Sequence, residues 1–123
     1  MSSSPTVAFY VSGHGYGHAV RQIEIMNALS ARRPDVRIAI RSDAPLGLFQ
    51  TSLRPVWPVR PGPTDTGVVQ LDSLRVDIDA SVRDAWTFHA ALDRRADAEA
   101  AWLAGQGTVL VAADIPPLAF AAA

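Results

Sequence analysis

The sequence predicts an α/β fold in which a Rossmann-like parallel sheet is flanked by helices. Two short apolar runs, residues 7–11 (VAFYV) and 36–40 (VRIAI), have the β-branched and aromatic content of strands that are buried on both faces. Between them, apolar residues recur every three to four positions, which indicates a helix. Strand, helix and strand within about 35 residues predict a right-handed βαβ unit, and therefore a parallel sheet.

The first helix is predicted to begin near Ala19 and to end at about Arg33, because Pro34 cannot continue it. A short helix is expected within residues 45–53. Residues 55–59 (PVWPV) predict an edge strand, since their two prolines cannot donate hydrogen bonds to a central ladder. The core-facing positions predicted for the first helix are Val20, Ile23, Met26 or Asn27, and Ala28 or Leu29, with Arg21, Gln22 and Glu24 turned outward.

The middle of the chain predicts a loop at residues 60–66, which are dense in proline and glycine. An alanine-rich stretch at residues 82–104 has larger apolar residues at helical spacing, so one long helix packed on the sheet is expected there. Gly105 and Gly107 end that helix. The next apolar run, residues 108–112 (TVLVA), predicts a third buried strand.

The last residues predict a helix that begins at Pro116 and Pro117, since proline is tolerated in the first turn of a helix. This helix stops after scarcely two turns, without a capping residue or a glycine. Residues 1–123 are therefore expected to form an N-terminal domain that is incomplete at its C-terminus, in a longer protein.

The composition excludes several classes of function. A net charge of -1 provides no basic field for nucleic acid. All 11 basic residues are arginine, and a P-loop for ATP or GTP requires lysine. Without cysteine, disulfides and thiolate zinc sites are impossible. The N-terminal apolar run is too short for a signal peptide or a membrane span, so a soluble, cytoplasmic protein is expected.

A glycine-rich turn, residues 13–18 (GHGYGH), follows the first strand. It lies where ligands bind in parallel sheets, beyond the carboxyl ends of the strands. Gly13, Gly15 and Gly17 permit unusual backbone angles and the close approach of a pyrophosphate, a sugar or a neighbouring loop. A tight turn between strand and helix explains the glycines equally well.

The turn resembles the dinucleotide-binding fingerprint but departs from it at His18, where the third glycine is expected. The acidic residue that holds a ribose directly after the second strand is also missing, because Arg41 and Ser42 precede Asp43. Arg41 could suit a 2′-phosphate, so an NAD(P)-binding domain stays among the alternatives.

A metal site is the next alternative. It would use His14 and His18, with His89 as a third ligand, but two histidines four apart share a face only on a helix, and His14 lies in a turn. The pair Asp77 and Asp79 matches a pattern of metal-dependent glycosyltransferases. Capping of a helix by a solvated pair explains it as well, and no metal is expected.

A catalytic role is the third alternative. His18 at the positive pole of the first helix favours a neutral imidazole that can accept a proton. Asp114, directly after the third strand, emerges at the same edge of the sheet and could orient His18, or it could cap the final helix. His14 has no assigned task, and His89 is expected to be a packing or surface residue.

The stretch YVSGHGYGHAVRQIEIMNAL, residues 10–29, resembles the start of the glycosyltransferase-like proteins represented by the N-terminal half of plant L-arabinokinase. The likeness continues in residues 66–77 (TGVVQLDSLRVD) and 109–123 (VLVAADIPPLAFAAA). More distantly, the chain is similar to the N-terminal domain of glycosyltransferases with two Rossmann domains, the GT-B fold. These include the bacterial transferase that completes lipid II and the plant UDP-sugar glycosyltransferases.

The resemblance implies the N-terminal half of a GT-B fold and a metal-independent, inverting transfer of a sugar. The sugar would pass from a nucleotide-sugar donor to the hydroxyl of a small-molecule or lipid-linked acceptor. In this picture His18 is the general base and Asp114 is its partner. The residues expected to lie against the acceptor or the donor diphosphate are Gly13, His14, Gly15, Tyr16 and Gly17.

The same resemblance implies a partner, a second Rossmann domain that supplies most of the nucleotide-sugar contacts. Without it, residues 1–123 alone are expected to be inactive. The alternative from another class is a non-catalytic module that binds a sugar or a nucleotide and regulates a fused kinase domain.

Overall fold

A four-stranded sheet lies at the centre of the protein in a computed structural model, which describes residues 4–13, 16–55, 57–62, 69–70, 75–113 and 117–123. The elements are β1 (Thr6–Val11), α1 (Tyr16–Arg32), β2 (Arg37–Ser42), α2 (Leu46–Ser52), β3 (Val59–Arg60), β4 (Val69–Gln70), β5 (Val76–Asp77), α3 (Ile78–Ala90), α4 (Leu92–Gly105), β6 (Thr108–Ala113) and α5 (Pro117–Ala122). The order in the sheet is β3-β2-β1-β6, and every neighbouring pair is parallel. This confirms the predicted α/β class, with helices on both faces of a parallel sheet.

Alternate side chains of β1 enter two separate cores, because successive residues of a strand point to opposite faces. Val7, Phe9 and Val11 pack with residues of α1, β2 and α2. Ala8 and Tyr10 pack on the other face with residues of α3, α4 and α5. Burial on both faces is why the strand has a continuous apolar sequence instead of an alternating one.

Helix α1 begins at Tyr16, earlier than predicted. The prediction of which side chains face the core is wrong for residues along one side of that face. Val20 is 49% exposed, whereas Gln22 and Asn27 are buried. The buried arc follows the spacing from Ala19 through Ile23 to Met26, and Gln22 and Asn27 lie on that arc while Val20 lies beside it. Asn27 is satisfied there: its amide donates to the carbonyl of Ser52 and its oxygen accepts from the backbone N–H of Arg54, at 3.0 and 2.9 Å.

The predicted long helix is in fact two helices, α3 and α4, which meet at Ala91. Ala91 has φ -95° and ψ 0°, and its N–H donates to the carbonyl of Thr87. The break follows no glycine or proline, so helical spacing alone could not reveal it. Asp77 caps α3 as expected, since its carboxylate accepts a hydrogen bond of 2.9 Å from the N–H of Ala80.

The prediction that the third strand, β6, is buried on both faces is wrong. This strand is the last one of the described sheet, and Val109 and Leu110 are 69% and 59% exposed. The strand predicted at residues 55–59 is wrong in its bounds, because β3 is Val59–Arg60 and shares only Val59 with it, although β3 does lie at the opposite edge of the described sheet. Strands β4 and β5 form a separate antiparallel pair. Among the described residues, no helix is long and apolar enough to cross a lipid bilayer.

Candidate functional site

The carboxyl ends of β1, β2, β3 and β6 lie along one edge of the sheet, because all four strands run parallel. The register pairs Val11 with Ser42, Arg41 with Arg60, and Tyr10 with Ala113, so the four strands end at nearly the same level. Loops at such an edge are the usual place for ligands in open parallel sheets. The turn after β1 opens onto this edge.

The predicted site residues lie partly within the described structure. Gly13 lies two residues after the end of β1, with Ser12 between them. Tyr16 is the first residue of α1, and Gly17 is exposed in the first turn of that helix. His18 is the third residue of α1 and is partly buried, which agrees with its expected place at the start of the helix.

Three of the predicted residues, His14, Gly15 and Asp114, lie outside the described residues. Their roles therefore stay predictions, as does the pairing of His18 with Asp114. What the structure describes is the neighbourhood: β6 pairs in parallel with β1, so the end of β6 at Ala113 lies beside the strand that leads into the glycine-rich turn.

Gly13 and Gly17 differ in what surrounds them. A Cβ on Gly13 would collide with the Asp43 carboxylate, at 2.7 Å from Cγ, and would lie 3.1 Å from the Asp43 carbonyl carbon. A Cβ on Gly17 would meet nothing within 4 Å. A Cβ at position 13 would therefore require the Asp43 side chain to move, because the turn after β2 packs against Gly13. Position 17 borders open space.

Arg41 is not available for a 2′-phosphate, which corrects the expectation from the sequence. The side chain is buried, its Nε donates to the carboxylate of Glu99, and its Nη1 donates to the carbonyl of Pro61. A weaker contact of 3.5 Å joins Nη1 to the carbonyl of Arg60. With these donors in use, Arg41 holds the sheet to α4 and to the loop after β3. The alternative of an NAD(P)-binding domain therefore loses Arg41 as the cation that would bind the 2′-phosphate.

A row of three side chains crosses the sheet just below the carboxyl edge: Tyr10, Arg41 and Arg60 occupy paired positions on β1, β2 and β3. Trp102 of α4 covers the row, with its ring edge-on to Tyr10 at 6.3 Å and under the guanidinium of Arg60 at 5.3 Å. Burial raises the pKa of Tyr10 well above its ordinary value, and the charge of Glu99 raises it further. Tyr10 is therefore a neutral phenol.

Gly62 fixes the loop after β3 against the same edge. Its φ of +135° is a conformation that side-chain-bearing residues rarely adopt, and a Cβ there would collide with the guanidinium of Arg41. Its N–H donates to the carbonyl of Ser42 at 3.3 Å. The loops after β2 and β3 are thus joined to each other, as the turns after β1 and β2 are joined by Gly13 and Asp43.

The candidate metal ligands are not brought together within the described part of the chain. His89 is exposed on α3, where its ring contacts Phe88 edge-on at 5.4 Å. That position agrees with a surface residue. Asp77 is used as a cap, and Asp79 is exposed in the first turn of α3. The described residues contain no group of three or more histidine or acidic side chains that could hold an ion.

Two residues of this edge were not identified from the sequence, Glu99 and Asp43. Glu99 lies in an alanine-rich helix among charged residues and looks like part of a solvated face, yet it is only 2% exposed. The sequence does contain one signal for a buried acid such as Glu99. Arg41 lies at the end of an apolar strand, and a buried guanidinium needs a partner of opposite charge. The sequence predicts that the second strand ends at residue 40, which places Asp43 too late to be the acid after it, but β2 extends to Ser42, so Asp43 follows it directly.

Comparison with known proteins gives one informative similarity. The chain is 34% identical over 119 residues, or 94% of its length, to L-arabinokinase of Arabidopsis thaliana. It spans only 11% of the length of that protein. No family model matches the sequence, and no solved structure matches it. The similarity therefore connects this domain to one part of a large sugar-modifying enzyme.

Proposed function

We propose that this domain is the acceptor-side, N-terminal half of an inverting, nucleotide-sugar-dependent glycosyltransferase of the GT-B type. The observation that carries the proposal is the glycine-rich turn between β1 and α1, which opens at the carboxyl edge of a parallel sheet with His18 in the first turn of the helix. The similarity to L-arabinokinase supports a sugar as the substrate class.

His18 acts as the general base in this proposal. A ring nitrogen accepts the proton of an acceptor hydroxyl, and the oxygen uses the released electron pair to form a bond to the anomeric carbon. The bond from that carbon to the donor diphosphate breaks, and its electrons leave with the nucleoside diphosphate. Attack from the side opposite the leaving group inverts the anomeric configuration.

Asp114 orients His18 and stabilises the imidazolium that proton transfer creates. The parallel pairing of β6 with β1 supports this role, because residues that follow the two strands emerge side by side. The backbone of the turn, from Gly13 through His14, Gly15 and Tyr16 to Gly17, lies against the acceptor or the donor diphosphate. Amides and a helix dipole can stabilise a leaving diphosphate without a metal ion. A second Rossmann domain supplies the remaining donor contacts.

The test is the substitution His18→Ala in the full-length protein. Release of nucleoside diphosphate from nucleotide sugars is expected to fall by ~10²–10⁴-fold, the usual scale for loss of a general base. His89→Ala is the matched control, because His89 is exposed on α3 and has no role in the proposed chemistry. Unchanged turnover in His18→Ala would remove His18 from the mechanism.

A non-catalytic sugar-binding module is the second candidate. The observation that favours it is that the similar protein is named as a kinase and that this chain matches only 11% of it. This candidate predicts that the full-length protein binds a sugar or a nucleotide at the carboxyl edge without releasing nucleoside diphosphate. Binding that persists in both histidine variants, with no turnover in the parent protein, would favour the module.

A further inference from the structure

Helix α3 carries a stripe of apolar side chains on its outer surface. Ile78, Val82 and Trp86, which lie four residues apart, are 71%, 59% and 74% exposed. Residues at this spacing share one face of a helix. Val82 and Trp86 also line a shallow hollow together with Ala85 and His89. Contiguous apolar surface of this kind marks an interaction site, whereas singly scattered apolar residues do not.

The rest of the described chain gives α3 little support. All 13 residues of the helix lie within the described part of the chain, and Phe88 is the one buried side chain among them. Its ring packs under the guanidinium of Arg95 of α4, which lies 5.0 Å from the ring centroid. A helix of this length is marginal in water by its own hydrogen bonds and depends on packing of an apolar face. The stripe on α3 is such a face, and the described residues leave it uncovered.

Two opposite charges border the stripe on one side. Asp79 and Arg83 are exposed and lie four residues apart, and at about 3.6 residues per turn both fall on the Trp86 side of Val82. Neither of them makes an ion pair with a described residue. The other border of the stripe faces the body of the protein, because Phe88 is buried there. Charged groups are therefore available along one border of the stripe.

A second copy of the same helix matches both the stripe and its charged border. When two copies of α3 pack antiparallel about a twofold axis, each border faces the same border of the other copy. With the axis at the level of Ser81, Asp79 of each copy lies opposite Arg83 of the second copy, so two contacts between opposite charges form. In the same register Ile78 packs against Val82 of the second copy. The surface is thus complementary to itself in charge and in polarity.

The same features argue against a lipid surface as the occupant. A helix that lies on a membrane has an excess of lysine and arginine on its polar face. The exposed charged residues of α3 are Asp79, Arg83 and Asp84, which give the helix a negative balance. The charge of an anionic membrane would therefore not attract this helix.

We propose that two copies of this chain associate reversibly through the stripe on α3, antiparallel and about a twofold axis, with Asp79 of each copy paired with Arg83 of the other. This association is independent of the proposed function. Two short helices bury less than the roughly 1,200–2,000 Å² of a standard stable interface, so the dimer is weak. We expect a dissociation constant of about 10–100 μM.

The test is sedimentation velocity of the full-length protein at concentrations of ~1–300 μM. Val82→Glu places two carboxylates beside the axis, where they face each other, and is expected to weaken the dimer by at least ~10-fold. Ile25→Glu is the matched control, because Ile25 is an exposed apolar residue of α1, on the opposite face of the sheet. This control should associate as the parent does. Thermal unfolding of each variant checks that the fold is unchanged.

A second pair of variants tests the charged border. Asp79→Arg alone and Arg83→Glu alone each place like charges opposite each other in a homodimer, so each should weaken association by ~3–10-fold. An equal mixture of the two variants restores opposite charges at both contacts, and we expect the mixture to dimerise at least as well as the parent. A role of these charges within one chain would not be rescued by mixing.

A parent protein that stays monomeric over this concentration range overturns the proposal, as does a dimer that Val82→Glu leaves unchanged. Association that responds to Val109→Lys on β6 and not to Val82→Glu would assign the contact to the strand edge instead. Failure of rescue in the mixture would overturn the antiparallel pairing. Binding of a monomer to phosphatidylcholine vesicles that is lost in Val82→Glu would identify a lipid surface as the occupant. None of these outcomes depends on turnover in His18→Ala.

Discussion

Arg41 and Glu99, 58 positions apart in the sequence, form a buried ion pair between the end of β2 and the middle of α4. Both side chains are less than 10% exposed, and Arg41 also donates to the carbonyl of Pro61. The pair joins three parts of the fold at the edge where the ligand is expected. It therefore stabilises the geometry of the site together with the fold.

Removal of one partner should be strongly destabilising. We expect Glu99→Ala to lower the free energy of unfolding by about 3–5 kcal/mol, because it leaves an unpaired guanidinium in the interior. The double substitution Arg41→Met with Glu99→Leu should recover much of this loss, since it removes both charges. Urea denaturation measures both. The exposed pair of Arg33 and Asp35 is the control, and Asp35→Ala should have little effect. A similarly small effect of Glu99→Ala would contradict the assignment.

The two glycines of the turn should respond differently to the same substitution. Gly13→Ala places a methyl group where the Asp43 carboxylate lies, and we expect a loss of about 1–3 kcal/mol, the usual range for overpacking. Gly17→Ala meets no neighbour and removes a flexible residue from α1, so it should change stability by no more than ~1 kcal/mol, in the stabilising direction. Thermal unfolding distinguishes the two. Equal effects would show that Gly13 does not approach Asp43.

Strand β6 should tolerate charge at its exposed start, where its register against β1 is irregular, and not further along the strand. Val109 is largely exposed, whereas Val111 packs against the core beneath α4 and α5. We expect Val109→Lys to leave the unfolding temperature nearly unchanged and to reduce self-association at this exposed strand edge. Val111→Lys should lower the free energy of unfolding by ~1–3 kcal/mol, because it buries an amine without a partner. Sedimentation velocity and thermal unfolding provide the two measurements. A larger loss of stability in Val109→Lys than in Val111→Lys would contradict the packing of Val111 on the core.

High pH should unfold the protein through Tyr10. The pKa of this phenol is raised in the folded state above its ordinary value of 10.0, first by burial and then by the charge of Glu99. The unfolded chain therefore loses the proton more readily, and stability present below pH 10 is lost progressively as the pH rises above it. The chain contains no lysine or cysteine that would titrate in the same range.

Tyr10→Phe should flatten this alkaline loss of stability. The hydroxyl makes no hydrogen bond of good geometry with the described residues, so its removal should change stability little at neutral pH. Tyrosinate absorbance together with circular dichroism between pH 8 and pH 12 follows the transition. An unchanged alkaline midpoint in Tyr10→Phe would assign the transition to another group.

Much of the fold could be predicted from local patterns. The βαβ unit of β1, α1 and β2 and the cap at Asp77 were encoded by nearby residues. Apolar runs, helical spacing, prolines and capping side chains act over a few residues, so the sequence displays them directly. The place of His18 at the start of α1 followed from the same kind of pattern.

The rest was decided by contacts between distant parts of the chain. The pairing of Arg41 with Glu99 depends on which face of β2 meets α4, and the contact of Gly13 with Asp43 depends on the register of β1 against β2. By itself the sequence determined a parallel sheet with a glycine-rich turn and a histidine at its carboxyl edge. Only the tertiary structure decided that Arg41 is buried and bonded to Glu99 and that Asp43 is exposed beside the turn. Strand register and layer packing bring such residues together, and neither leaves a periodic pattern in the sequence.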